Sequence, residues 1–305
     1  MADNLESPYG LTFTPTTVIA SRFNASGSVE LTKAPLGSTY REFYQHAVRN
    51  FEMSIDNDPP IDKSEIASLF RTAVVPLTEH LRNKLGHTPE FAALFFPSVF
   101  NFSTRTAAVE GVLGEHFDRP MKDGPAWQAT CDGYGFLQGK NLGRDPQECN
   151  DEGPPNFVIV LEYEEDFLYT WLLDVAFGLG VFYPEQQQYC KECGAKTWEI
   201  DGSEAYRKRV NDFLIGFVEC VLLQQDRDSI RAIVVSGEAP IAGSAELVEM
   251  VKSAVGTGPV RVMSDFDPSE VVPNGAAAWA RMIQREPRRF KGDWIPHGDL
   301  NHDEL

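Results

Sequence analysis

Four carboxylates crowd into one short stretch of this sequence, at Glu162, Glu164, Glu165 and Asp166. They sit inside the run Val158-Ile-Val-Leu-Glu-Tyr-Glu-Glu-Asp-Phe-Leu-Tyr-Thr-Trp-Leu-Leu-Asp174, which otherwise reads as two apolar strands about a tight connection. Hard cations favour such oxygen ligands, so the group can hold Mg²⁺ and, through it, a diphosphate-bearing substrate. Alternate strand positions point to opposite faces, however, so the four cannot all converge, and a solvated acidic turn is the simpler reading. Farther on, Cys190-Lys-Glu-Cys193-Gly has the spacing with which a tight turn presents two thiolates to zinc. Such a site needs two more ligands, for which Cys131, Cys149 and His116 are candidates; a redox pair or two ordinary thiols fit the same spacing. The six histidines form no His-x-x-x-His pair, and there is no Gly-x-Ser-x-Gly elbow and no Walker loop.

The elements that must position these residues follow from periodicity. Residues 9–32 alternate β-branched or aromatic residues with polar ones, and Asn24-Ala-Ser-Gly supplies a turn, which predicts a hairpin. Thr39 with Glu42, and Asp62 with Glu65, are capping patterns that open two helices. Pro76 should kink or end the second, leaving 77–85 as a further segment. Phe91-Ala-Ala-Leu-Phe-Phe-Pro is an unbroken apolar run, predicting a strand buried on both faces. A helix from Ser103 to His116 follows. Residues 137–156, rich in Gly, Asp, Asn and Pro, predict a linker. After the acidic stretch come a helix over 203–224, a buried strand at 230–236, a helix over 244–255, a short strand at 260–263 and a last helix over 270–285. Each half thus reads strands first and strand–helix alternation afterwards. That pattern predicts an α/β architecture in two related lobes, 1–155 and 156–269, with a closing helix to 286 and an irregular tail, 287–305.

Composition restricts the partners. With 42% apolar and 11% aromatic residues the chain is an ordinary globular one, long enough at 305 residues for a large core. Its net charge of −18 argues against nucleic acid or an anionic membrane as a main partner; the local cluster between Arg285 and Lys291 reads as a solvated helix end. No basic-then-apolar leader and no span of about 20 apolar residues is visible. Together with an odd count of five cysteines, this predicts reduced thiols in the cytoplasm. The ending His302-Asp-Glu-Leu305 matches a retrieval signal for the endoplasmic reticulum and is read as chance in an acidic tail. Asn24-Ala-Ser and Asn101-Phe-Ser match glycosylation acceptors that carry no meaning without export.

Several segments resemble one family in the right order. Ile233-Val-Val-Ser-Gly-Glu-Ala-Pro-Ile241, a helix and a strand precede Asp267-Pro-Ser-Glu-Val-Val-Pro-Asn-Gly-Ala-Ala-Ala-Trp-Ala-Arg281. This succession is similar to the end of an actin-like ATPase domain, most of all that of the seventy-kilodalton heat-shock chaperones. Upstream, Phe95-Phe-Pro-Ser-Val-Phe-Asn-Phe-Ser-Thr-Arg-Thr-Ala107 and Gly133-Tyr-Gly135 resemble further segments of that domain. The closing helix is the most specific of these.

The resemblance implies a two-lobed actin-like, ribonuclease H-like fold in a compact variant. It implies phosphate loops at 10–17 (Thr12, Thr14, Thr16) and 162–167 (Glu162, Glu164), an adenosine end at Ser236, Gly237 and Glu238, and Mg-ATP or Mg-ADP as the ligand. The sequence departs from that pattern where phosphate would bind. Thr12, Phe13, Thr14 and Pro15 stand where the first loop needs a carboxylate and glycines, and Pro15 has no N–H to offer. Glu164, Glu165 and Asp166 replace the three glycines of the second loop, and the family's glutamate near Pro125 has no counterpart. Three carboxylates beside a triphosphate repel it by roughly several kcal/mol at an effective dielectric of about 20. The chain also has little room for the family's extra helical subdomain and none for a peptide-binding domain. The expectation is a pseudo-ATPase that serves as a binding or regulatory module, with a protein partner or a small molecule in the interlobe cleft. The alternatives are a divergent ATPase that uses the carboxylates through extra metal, or an enzyme that has reused the cleft for a small, diphosphate-like substrate.

Overall fold

The computed structural model describes residues 7–51, 62–114, 121–136, 139, 141–143, 155–176, 180–197, 203–222, 229–256, 260–288 and 290. The chain folds as two compact units. The first comprises Met1–Ala47, Ser54–Pro125 and Ala276–Leu305, and the second Val48–Met53 and Ala126–Gly275. The division therefore falls on either side of Val48–Met53, after Pro125 and after Gly275 within the last helix, while the Gly/Pro-rich 137–156 segment lies inside the second unit. The tail beyond residue 290, His116, Cys149 and most of that segment lie outside the described residues.

In the first unit, β1 (Tyr9–Phe13), β2 (Thr17–Phe23) and β3 (Val29–Pro35) form an antiparallel meander. Helices α1 (Ser38–Asn50) and α2 (Lys63–Leu85) follow, then β4 (Phe91–Phe96), α3 (Phe102–Leu113) and β5 (Lys122–Pro125). β4 and β5 add in parallel beside β1, giving the order β3-β2-β1-β4-β5. The central strands β1 and β4 are buried almost throughout, as the unbroken apolar run predicts. Aromatics fill the space between sheet and helices: Phe13 stacks on Phe96 with centroids 5.3 Å apart, and Phe70 of α2 meets Phe13 edge-on at 5.0 Å.

Pro76 neither ends nor divides α2, contrary to the sequence expectation. It lies on the exposed side, where a carbonyl deprived of its N–H partner can turn to water. Phe70, Val74, Leu77 and Leu81 run unbroken down the buried side, and their burial offsets the missing bond. The helix is closed at its start by Asp62, whose carboxylate accepts from Ser64 N at 2.9 Å, and at its end by Gly86 at φ 77°.

The second unit repeats this plan. Helix α4 (Ala126–Gly133) leads to β6 (Phe157–Tyr163), β7 (Leu168–Ala176) and β8 (Gly180–Cys190), again an antiparallel meander. Then come α5 (Ser203–Leu222), β9 (Ile230–Ser236), α6 (Ile241–Val255), β10 (Arg261–Met263) and α7 (Pro268–Arg285). β9 and β10 add in parallel beside β6, so the order is β10-β9-β6-β7-β8. The sheets agree in detail as well as in order. The parallel pairing slips at Tyr9/Gly10 in β1 and at Phe157/Val158 in β6, the first positions of equivalent strands. One face of the second sheet, through Phe157, Ile159, Leu161 and Tyr163, packs on an apolar stripe of α5: Tyr206, Val210, Leu214, Phe217 and Val221. The spacing of three and four residues is what presents one helical face to a sheet.

Helix α7 contributes Pro268–Gly275 to the second unit and Ala276–Arg285 to the first. Within the second unit a β-carbon at Gly275 would land on the Ala129 carbonyl of α4, so the two helices cross backbone to backbone. No helix among the described residues is long and apolar enough to cross a membrane. Gly275→Ala gains about 1 kcal/mol of helix propensity but overpacks this crossing by about 1–3 kcal/mol. The substitution is therefore expected to lower stability in urea denaturation.

Candidate functional site

The residues singled out in the second half converge on the 164–167 turn between β6 and β7. Its backbone is closed by Glu164 N donating to Phe167 O at 3.0 Å. A tight turn of this kind leaves its first two carbonyls to be satisfied from outside, and a neighbouring segment does so. Ala195 N donates to Glu164 O at 3.0 Å and Lys196 N to Glu165 O at 2.9 Å. Between that segment and the turn there is no room for a side chain: a β-carbon on Gly194 would strike Glu165 O and Phe167 N. The 193–196 segment is thus a backbone strap across the acidic turn.

The other side of the turn meets the end of β9. Glu162 of β6 pairs with Ser236 of β9. The chain then turns at Gly237, which adopts φ 117° and lies against the Tyr163 carbonyl, a position no L-residue fills without strain. Gly237 N donates to Pro268 O at 3.2 Å, and Ala239 N to Tyr163 O at 3.2 Å. The remaining amide of this bend, Glu238 N, donates to Glu164 Oε2 at 2.9 Å. Glu162, Glu164, Ser236, Gly237 and Glu238 are therefore brought together. Their arrangement is a closed one.

Glu164 overturns the reading of the turn as simply solvated. Glu165 is exposed and Asp166 half-buried, but Glu164 is only 5% exposed. Burial, then the neighbouring Glu162 and Glu238 carboxylates, push its pKa well above the usual carboxylate range, against the lowering effect of the Glu238 N–H. Glu162 is likewise buried, on the sheet face that also carries its cross-strand neighbour Tyr169. Tyr169 donates to Gln187 Oε1 at 2.7 Å, and Trp171 Nε1 to the same oxygen at 3.2 Å, so the aromatics form a packed layer.

In the first unit the equivalent turn, 14–17, is closed by the same backbone bond, Thr14 N to Thr17 O at 2.9 Å. Here hydroxyls reinforce it: Thr14 Oγ1 donates to Thr17 O at 2.8 Å and accepts from Thr17 N at 2.9 Å. Thr16 is exposed, and its carbonyl accepts from Leu36 N at 2.8 Å. Thr12 is buried inside β1. The amides of Thr14 and Thr17 are thus engaged within the turn, and Pro15 has none.

Cys190 and Cys193 do not present two thiolates to zinc. They are joined as a disulfide, Cα atoms 5.3 Å apart, which corrects both the zinc-knuckle expectation and the expectation of uniformly reduced thiols. Of the proposed further ligands, Cys131 is buried in α4, and no group of three or more His, Cys, Asp or Glu side chains that could hold a metal exists among the described residues.

Two contributors escaped the sequence reading. Tyr163 donates to Tyr206 at 2.7 Å, and Tyr206 donates on to the Cys193 carbonyl at 2.9 Å, tying β6, α5 and the strap together. Desolvation raises the pKa of both phenols, so both stay protonated at neutral pH. Within α5, Tyr206 reads only as one more apolar-face residue. Gly194 had a signal, a glycine directly after the second cysteine, but nothing local says what it packs on. The sequence matches no protein-family model and no curated protein.

Two outcomes test this geometry. Tyr206→Phe strands the buried Cys193 carbonyl and is expected to cost about 1–2 kcal/mol in equilibrium unfolding. For Glu164 the sign follows from linkage: its raised pKa means the folded state binds the proton more tightly. The stabilising effect is complete below the unfolded carboxyl pKa and disappears as pH rises through the folded one. Glu164→Gln keeps an acceptor for Glu238 N and removes the charge. Its melting temperature is expected to exceed that of the parent at pH 7.5 and to equal it at pH 4.

Proposed function

We propose that this chain is an actin-like domain of the heat-shock-chaperone type whose phosphate loops have become closed protein contacts, and that it works as a pseudo-ATPase: a binding or regulatory module rather than a nucleotide hydrolase. The observation that carries the reading is the Glu164 carboxylate seated on the Glu238 amide. In the implied family the two segments concerned are a phosphate loop and the adenosine end. Here one of them supplies the carboxyl group that occupies the other.

The duplicated strand order, with equivalent turns at 14–17 and 164–167, supports the fold part of the proposal, since two halves built alike are what the resemblance implies. Burial decides which effect opposes nucleotide. Glu165 is exposed and Asp166 half-buried, and in water a charge pair at about 4 Å is worth only about 1 kcal/mol. Glu164 is buried and tends to hold its proton, so its charge is not the main obstacle either. Occlusion is. Phosphate would have to displace a formed hydrogen bond and dislodge a turn strapped by two backbone bonds, and only then meet the amides.

Titration calorimetry of the full chain with Mg-ATP and Mg-ADP tests the proposal. No binding tighter than about 1 mM is expected, corresponding to less than roughly 4 kcal/mol. Low-micromolar binding with turnover of ATP overturns it.

A further inference from the structure

We propose that Cys190 and Cys193 are a reversible dithiol–disulfide centre that exchanges with an external dithiol and thereby sets whether the strap over the 164–167 turn is fixed or loose. The position of the bond is poorly explained by stability alone. A disulfide stabilises chiefly by closing a long loop in the unfolded chain, and this one joins residues only three apart. Its place in the fold is more telling. Cys190 is the last residue of β8 and pairs with Leu168, the first residue of β7 after the turn. Cys193 directly precedes Gly194, whose backbone lies on the turn. The disulfide therefore spans from the strand that anchors the turn to the strap that covers it.

The two sulfurs are unequal in the way exchange requires. Cys190 is half-buried and flanked by the exposed Lys191 and Glu192, whereas Cys193 is wholly buried in the α5-facing core. A thiolate of the incoming dithiol can reach only Cys190 Sγ. It forms a mixed disulfide there as the Cys190–Cys193 bond breaks, and the electron pair leaves on Cys193 Sγ, which takes up a proton because a thiolate is disfavoured in an apolar core. The second thiol of the reductant then displaces Cys190, which leaves as a thiolate and is protonated from water. Two electrons and two protons enter the protein, and the dithiol departs as a disulfide.

What reduction releases can be named. The strap keeps the Tyr206–Cys193 and Arg209–Glu192 carbonyl bonds, at 2.9 and 3.1 Å, and its main-chain link to β8, but loses the cross-link that holds Cys193 to Cys190. The bonds from Ala195 and Lys196 to the turn then depend on a segment free to move. Because none of this involves nucleotide, the centre stands or falls independently of the pseudo-ATPase reading.

The test uses the full chain carrying Cys220→Ser, which removes an exposed thiol on α5 outside this machinery. The oxidised protein is equilibrated natively in dithiothreitol buffers of graded potential and quenched in acid. Its thiols are then alkylated in denaturant and located by peptide mass spectrometry. Hydrogen exchange is followed on the same samples. Cys190 and Cys193 are expected to gain labels together, to lose them again in excess glutathione disulfide, and to leave far-UV circular dichroism unchanged. Exchange at Ala195 and Lys196 is expected to accelerate about tenfold or more, a local opening rather than a global one. Cys193→Ser should show the fast exchange without reductant; should that variant not fold, the parent measurement decides alone. The proposal is overturned if the pair resists reduction until denaturant is added, if the chain unfolds globally on reduction, or if the pair reduces while exchange at the strap stays unchanged.

Discussion

A buried carboxylate held by one backbone amide is a demanding arrangement, and much of the second unit is organised to satisfy it. Glu164 has left water, where its charge would be well solvated, for a site flanked by two further carboxylates, and the principal return is the bond from Glu238 N. That bond requires Gly237 to turn at a positive φ against the Tyr163 carbonyl, which brings the end of β9 down onto the turn. It also requires the turn to stay in place, which the strap secures from the opposite side. Protonation is the natural relief for a carboxyl in such surroundings, and burial drives Glu164 in that direction. The result is a polar contact that behaves as part of the core.

The strap and the sheet are linked through side chains of another kind. Tyr163 points into the apolar layer beneath α5, yet its hydroxyl reaches Tyr206, and Tyr206 reaches the carbonyl of Cys193. An aromatic ring with a polar tip can fill a core and still orient a backbone segment at its edge. This lets α5, whose stripe of Val210, Leu214 and Phe217 fixes it on the sheet, also fix the height of the strap above the turn. A loop held only by its own backbone would lack that reference.

Much of the fold was legible in the sequence because it follows from local patterns. The unbroken 91–96 run became a strand buried on both faces, and the alternation over 9–32 became the β1–β3 meander. The helix breaks were less legible: Pro76 has its local effect, but the buried stripe on the opposite side of α2 decides the matter, and that is a tertiary quantity. At the site, the sequence supplied the members but not the state. Glu164 and Glu238 are 74 positions apart, and nothing in either stretch says that the carboxylate of one will seat on the amide of the other. The reading of an acidic turn as solvated holds for Glu165 and fails for its neighbour, because a turn fixes where the backbone goes and not which of its side chains faces inward. The cysteine spacing fitted zinc, a redox pair or two ordinary thiols, and the disulfide separates them.

The turns at 14–17 and 164–167 occupy equivalent places in the two sheets. Both carry the same backbone closure, from the first amide to the last carbonyl, but each is reinforced by different chemistry: paired threonines with a proline in one, a carboxylate on a distant amide in the other. Two dissimilar solutions to the same geometry mean that closure at each turn is supported by its own side chains. Glycine at Glu164 would free the Glu238 amide but leave Pro15 without an N–H and the Thr14 amide engaged, so no one change exposes the amides of both. At both turns the backbone amides of Thr14, Thr17, Glu164 and Glu238 are committed to partners within the protein.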